Sequence, residues 1–496
     1  MARFAFLFLV SISLLVAAQA SAADDVMTKA VKLYEKRHYD EAAGLLRSNL
    51  ASLGPAQQGS ANLALGMTYF KNAMLHRELY LASTWASQDY LKKLSALRGS
   101  SRSRFVDLYM GDALTQVGKA DVAAIYLNQF LAGEGLGPQN QALAQVSLGL
   151  SYQVNNETAK AAPLWAAVDT ADPEVKAELA AAYSKAGLRD KDPLALAEES
   201  LAGQTKRGKP LSIRMVKNLL AVYARAGLTE KGLDLLKRAD LKAFSFRETL
   251  GKTKVINFYD LSLLDDMATL YGQASIAYLE KAAVDAKIKG SAEFYLGQAY
   301  ALFGSAERSM KTAESFLAST QLPQQFKDQA RVLQGANLYK SNRKAEALKI
   351  WDELAVKPSQ DPDVLAEILF TCRRLKAECP NAARQSATTV EAGEGKKFST
   401  LNIALGKYYL GRLDTTRAVT YLEAGRDKSN KNKIESNDPE MLVSLADAYF
   451  RTKKFSEALE IYFEMSKQFP EVRQLQEAMQ GVYAMEHKSA GDVKIN

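Results

Sequence analysis

Apolar residues recur three and four positions apart along most of the chain, and short polar stretches break the runs. Near the C-terminus, Leu445, Ala446 and Tyr449 lead through Arg451–Lys454 to Phe455, Ala458 and Tyr462. This period predicts amphipathic helices packed on one face. Val, Ile and Thr do not gather into alternating runs, so no strand is predicted. Proline is scarce, 12 in 496 residues, which agrees with helix because Pro within a helix removes a donor and clashes with the preceding turn. The fold class read from the pattern is all-α.

The helical segments also repeat in register. Leu445, Ala446, Tyr449, Phe455, Ala458, Tyr462 and Pro470 share intervals with Leu148, Gly149, Tyr152, Ala161, Trp165, Val168 and Pro173. Further copies run Gly335, Leu338, Ala347, Trp351, Leu354; Leu405, Gly406, Tyr409, Ala418, Leu422; and Gly111, Leu114, Gly118, Ala123, Leu127. Ala30, Leu33, Tyr39, Ala42 and Leu46 fit the same grid. A small residue stands at the eighth position, an aromatic at the eleventh, Ala at the twentieth and a large residue at the twenty-fourth. The small residues are expected where the two helices of a unit cross closely, since a larger side chain would force them apart. The eleventh and twenty-fourth positions are expected to fill the space against the next unit, and a terminal Pro to close each unit.

This register resembles the tetratricopeptide repeat (TPR), a pair of antiparallel helices. The resemblance implies a right-handed α-α superhelical solenoid of about twelve TPR-like helix pairs, and it covers nearly all of the chain after residue 22. Looser copies open at Leu179, at Leu220 and at 363–388. Residues 258–286 read as a pair with a shortened turn at Gly272. The copy opening Leu65, Gly66, Tyr69 reads as carrying an insertion before Ala82. A soft boundary near 250 gives an N-terminal array over 23–250 and a C-terminal array over 251–486 that ends in a capping helix, followed by a flexible tail at 487–496. Breaks in the rhythm fall at 240–257, 389–397 and 427–438.

The first 22 residues differ from the rest. Arg3 is the only charge before Asp24, an apolar stretch runs from Phe4 to Val16, and small residues follow at Ala18, Ala20 and Ala22. That is the pattern of a cleaved secretory signal peptide, with no Cys after it to carry a lipid. The expected location is the periplasm or another exported compartment, with no transmembrane segment after cleavage. The net charge of +8 and pI near 9.0 would suit anionic partners. Export argues against nucleic acid and leaves anionic glycan as the alternative.

Two cysteines are present, Cys372 and Cys379. On one continuous helix they would lie too far apart to bond. Pro380, however, pushes Cys379 out of helical geometry, so the pair can instead flank a turn and bridge it. Both geometries are open from sequence. No catalytic constellation appears. The three histidines, His38, His76 and His487, have no metal-ligand spacing, and no phosphate-binding or dinucleotide glycine motif occurs. The paired acids Asp265-Asp266 and Glu198-Glu199 are what any helical surface yields. No enzyme, cofactor or metal is therefore expected.

In this family the first helix of each unit lines a concave groove at its second, fifth, ninth and twelfth positions. The resemblance thereby points to Met67, Phe70, Asp112, Gln153, Phe294, Gln298, Tyr339, Lys407, Asp447 and Phe450, with Arg214 and Lys217 from a looser copy. The mixture is amphipathic, as suits a peptide or partner helix. The expected function is an exported scaffold holding protein partners in an envelope-associated complex for secretion, polysaccharide export or outer-membrane assembly. The alternative is a glycan-binding or peptidoglycan-processing accessory protein.

Overall fold

The computed structural model describes residues 22–84, 91–92, 94–96, 98, 105–239, 247–250, 253–256, 262–318, 324–356, 361–392, 399–426, 437–469, 472 and 476. The expected signal peptide up to residue 21, almost all of the expected capping helix and the whole 487–496 tail lie outside them. Among the described residues nearly everything is helix, and no helix is long and apolar enough to cross a membrane. One departure is a small antiparallel hairpin, Arg247–Leu250 against Thr253–Ile256, with Arg247 opposite Ile256 and Leu250 opposite Thr253. It corrects the reading of 240–257 as a strandless connection. The strands are only four residues each, too short for an alternating pattern to stand out.

The chain divides into two compact units. One holds the described residues up to Glu78 together with Tyr271–Gln468, and the other holds Leu79–Leu270 together with the described residues from Phe469 on. In the first unit, antiparallel pairs are Ala22–Glu35 with Tyr39–Asn49, Lys289–Phe303 with Ala306–Ala318, and Gln324–Lys340 with Lys344–Ala355. Pro362–Leu375 with Pro380–Ala392, Ser399–Gly411 with Thr415–Gly425, and Pro439–Arg451 with Phe455–Ser466 continue the series. The second unit pairs Phe105–Gln116 with Ala120–Leu131, Pro138–Val154 with Thr158–Ala166, Pro173–Ala186 with Pro193–Lys206, and Ile213–Arg225 with Thr229–Arg238.

The repeat register has a physical cause at each fixed position. A Cβ added to Gly149 would sit 2.3 Å from Trp165 Nε1, and one on Gly335 2.4 Å from Trp351 Nε1. Leu127 stands the same way over Gly111, and Leu422 over Gly406. The twenty-fourth residue therefore seats on the eighth residue of its own pair, which corrects the expectation that it packs on the next unit. Both indoles also donate from Nε1 to a carbonyl of the first helix, one turn before the glycine: Trp165 to Val146 O and Trp351 to Val332 O, each at 3.1 Å.

The fifteenth position ends the first helix of a pair with a left-handed residue. Gly118, Gly187 and Gly227 have φ of +78°, +71° and +71°, and Asn156, Asn342, Leu413 and Lys453 have φ of +62°, +64°, +62° and +62°. Left-handed backbone at this point reverses the chain into the second helix. Pro173 does not close its unit. It is the first residue of the next helix, behind an Asp172 carboxylate that accepts from Glu174 N at 2.9 Å. Asp361-Pro362 and Asp438-Pro439 start helices in the same way.

One pair in the first unit is split in sequence. Pro55–Ser83 runs as one long helix, not as a helix followed by an insertion. Gly66 is covered by Leu279, whose Cγ would be 2.5 Å from an added Cβ. Ser275 Oγ donates to Gly66 O at 2.8 Å, as Ser309 Oγ does to Gly297 O within an ordinary pair. Ser275 and Leu279 thus take the twentieth and twenty-fourth places for Gly66. Leu263–Ala282 is correspondingly one helix, and Gly272, expected in a turn, lies within it where Phe303 packs.

Candidate functional site

The predicted groove positions turn inward, and most are occupied with the protein's own packing. In the first unit Met67 and Phe70 join Leu63, Met74, Leu279 and Phe294 in one apolar cluster. Lys407 is buried, with Nζ 3.4 Å from Glu78 Oε2 and 3.3 Å from Glu440 Oε2. Glu78 also takes a two-pronged ion pair from Arg373, with Nη1 donating to Oε2 at 2.7 Å, and a hydrogen bond from Ser444 Oγ at 2.9 Å. Burial works against this carboxylate's charge, but Arg373 and Lys407 overcome it and hold its pKa down at about 2. Lys71 lies 3.5 Å from Glu440 and 3.7 Å from Asp438. Burial favours its neutral form, and those two carboxylates reverse the effect and raise its pKa well above the ordinary value.

Asp447 is buried and accepts from Arg451 Nε at 2.8 Å, yet burial still lifts its pKa to about 6. Phe450 meets Phe455 edge-on at 5.4 Å, and Tyr339 stacks on Trp351 at 5.9 Å. In the second unit, Arg214 bridges two first helices, 2.5 Å from Asp112 and 3.2 Å from Glu178. Asn218 Nδ2 donates to Glu178 at 2.7 Å. Burial raises the pKa of Asp112 in spite of Arg214. Lys217 is buried, and Gln153 is half-buried with an Oε1 that has no hydrogen-bond partner.

Phe294 and Gln298 are brought to an opening. Together with Gln329, Leu333, Lys340, Glu367, Thr371 and Arg374 they line a narrow cleft among helices Lys289–Phe303, Gln324–Lys340 and Pro362–Leu375. It continues past Glu367 to Asp363, Phe370 and Thr400. Gln298, Gln329, Glu367 and Thr371 are each at least nine-tenths buried. Arg374 Nη2 donates to Glu367 at 2.7 Å and to Thr371 Oγ1 at 3.0 Å, whereas Gln329 Oε1 is buried without a partner. Lys340 Nζ donates to Ala301 O. Burial, and then the charges of Arg77 and Arg374, push the Lys340 ammonium below its usual pKa. Among the described residues no group of acids, histidines or cysteines is arranged to hold a metal.

Gly under the twenty-fourth side chain and left-handed backbone at the fifteenth residue recur from pair to pair. The chain is built of TPR-like helix pairs. The PPR repeat, another helix-pair repeat, matches residues 441–468, which is the Pro439–Arg451 and Phe455–Ser466 pair. No curated protein matches the chain. Solved structures it aligns with include the Cut9–Hcn1 hetero-tetramer of the APC/C, at 14% identity over 93% of this chain and 97% of that one, TM-score 0.28. Yeast Tom70 aligns at 13% identity over 94% and 95%, TM-score 0.31, and the TPR domain of P58(IPK) at 14% identity over 71% and 98%, TM-score 0.19. Superpositions this loose carry no inference about partners.

Several residues of the TPR-like cleft escape a reading by register. Gln329 is the second position of the Gly335 copy and was accessible to that reasoning. Glu367, Phe370, Thr371 and Arg374 belong to a copy with Leu369 where Gly or Ala is usual, so its register is obscured. Cys372 and Cys379 of the same pair are joined by a disulfide across its turn, with their Cα atoms 6.3 Å apart. The bond sits beside Arg373, which reaches Glu78, and Arg374, which reaches the cleft.

Proposed function

We propose that this protein is an exported TPR-like scaffold that binds protein partners in an envelope-associated complex for secretion, polysaccharide export or outer-membrane assembly. The observation that carries the reading is the cleft on the inward faces of three successive first helices. It combines an apolar wall of Phe294, Leu333 and Phe370 with Gln329 Oε1, a buried acceptor without a hydrogen-bond partner. That combination of apolar surface and a few fixed polar groups suits recognition of a chain segment. Export is supported by the N-terminal apolar stretch with its small-residue sites and by the disulfide, a bond that persists in oxidising compartments. The bulk of the inward surface is already sealed by ion pairs, so partners meet the array at the cleft rather than along a continuous trough.

A photo-crosslinking amino acid placed at Leu375, on the cleft rim, tests the reading in intact cells. Defined adducts with envelope proteins are expected there and not at the exposed Lys209 of the second unit. Adducts only with cell-wall glycan would favour the glycan-binding alternative. Equal labelling from Leu375 and Lys209, or none from either, would sink the scaffold reading.

A further inference from the structure

We propose that the turns of three successive helix pairs, over 362–466, dock on an anionic membrane surface, with Lys376 and Lys453 against lipid headgroups and Leu413 inserted between them. The inference concerns the turns and not the cleft, and it gives the scaffold a place against a bilayer.

Three observations support it. First, the three residues hold equivalent places. The first helices Pro362–Leu375, Ser399–Gly411 and Pro439–Arg451 pack in succession. A left-handed residue follows the end of each: Lys376, Leu413 and Lys453, with φ of +53°, +62° and +62°. Arg412 of the middle turn pairs with Glu378 of the turn before it, which sets those two turns side by side. All three residues are exposed, Leu413 at 72%. Second, the residue type runs against the backbone. Glycine, or the tolerant asparagine, holds this place in every described pair of the second unit, as Gly118, Asn156, Gly187 and Gly227. A side chain there carries a cost that glycine avoids, and an exposed lysine or leucine recovers little of it by packing. Third, the turns combine charge with an apolar tip. The turn acids Glu378 and Asp414 are taken by Arg412 and Arg417. Lys376, Lys453 and Lys454, by contrast, form no ion pair among the described residues. Lysines beside an exposed apolar tip suit a headgroup layer, where the charges meet phosphates and the leucine leaves water. A soluble polyanion would use the lysines and gain nothing from Leu413. An apolar protein surface would strip water from the lysines without repayment.

The test is flotation of the full chain with vesicles of phosphatidylcholine mixed equally with phosphatidylglycerol, compared with phosphatidylcholine alone. The protein should float with the anionic vesicles, release them as salt rises, and stay behind with the neutral ones. Lys376→Gly combined with Lys453→Gly should weaken binding about twentyfold, at about fivefold for each lysine. Leu413→Gly should weaken it at least about threefold. Glycine suits the left-handed backbone, so these variants should melt no lower than the unaltered protein, and lost binding cannot then be lost fold. Lys206→Gln combined with Lys209→Gln removes the same charge from the exposed surface of the second unit and should leave binding unchanged.

Equal flotation with both vesicle types, or with neither, would overturn the proposal. So would a loss from the Lys206 and Lys209 changes as large as that from Lys376 and Lys453. Unchanged binding by Leu413→Gly, with dextran sulfate bound as tightly as the vesicles, would also overturn it and show a patch for an acidic polymer instead. Crosslinks from Leu375 report protein partners in cells, so the scaffold reading and this one fail separately.

Discussion

At the scale of single residues, the recurring geometry of the repeat imposes local costs that can be removed. Leu413 holds a left-handed φ of +62° with its side chain largely in solvent. A non-glycine residue in that conformation costs roughly 1–2 kcal/mol, and glycine, which carries no Cβ, escapes the cost at a smaller entropic one. Leu413→Gly is therefore expected to stabilise the protein by about 1 kcal/mol, read as a higher urea midpoint at constant slope. Buried carboxylates of opposite character set the pH dependence. The Glu78 pKa falls from 4.5 to about 2 on folding, so its contribution is complete above pH 4.5 and is lost as pH drops toward 2. The Asp447 pKa rises from 3.8 to about 6, so its ionisation weighs against the fold at pH 7 and that penalty is relieved as pH falls from 6 toward 4. Each is worth on the order of 2–3 kcal/mol. Stability should rise from pH 7 to about 5 and fall below 4. Burial lifts the Asp266 pKa to about 6 as well, so Asp447→Asn should reduce the rise without abolishing it, and Glu78→Gln should flatten the fall; unchanged profiles in chemical denaturation would refute the assignment.

At the scale of the helix pair, packing at the crossing dominates. Gly335 has no space for a side chain, because Trp351 lies on it and is fixed by its bond to Val332 O. Gly335→Val must push the indole aside, break that bond and open the pair. A loss of about 2–3 kcal/mol is expected, with a red-shifted and weaker tryptophan emission. Such pairs were readable from the sequence because one constraint, a glycine beneath a large residue sixteen positions later, repeats at Gly111, Gly149, Gly335 and Gly406. Where the constraint is met differently, the reading failed. Gly297 is covered by Leu333 of the following pair, and the pair at 362–392 has Leu369 in the small-residue place. The cleft lies among those atypical pairs, so Phe294 and Gln298 were found by register whereas Glu367, Thr371 and Arg374 were not.

At the scale of the whole molecule, connectivity is what local pattern could not reveal. Helices Pro55–Ser83 and Leu263–Ala282 each carry an ordinary repeat face, but nothing near either in sequence shows that Gly66 and Leu279 belong to one crossing. The interior ion pairs have the same origin. Lys407 was identified as inward-facing from its register, but its partner Glu78 lies on a helix more than 300 residues away in sequence, and only the closed arrangement of the first unit brings them together. The split also makes a separable prediction. All the groups that complete this pair lie within the first unit, with the His76 and Tyr271 rings 5.1 Å apart at its edge. Residues 79–270 are then an insertion into one repeat, and insertions are tolerated where the chain ends they join are close. Replacing them with a short Gly/Ser loop from Glu78 to Tyr271 should leave a soluble protein with one cooperative unfolding transition. Its buried core at Glu78 would persist, so Glu78→Gln in the shortened chain should still cost roughly 3–5 kcal/mol, the usual penalty for breaking a buried ion pair. A shortened chain that melts without cooperativity would show instead that the first unit depends on residues 79–270 for its fold.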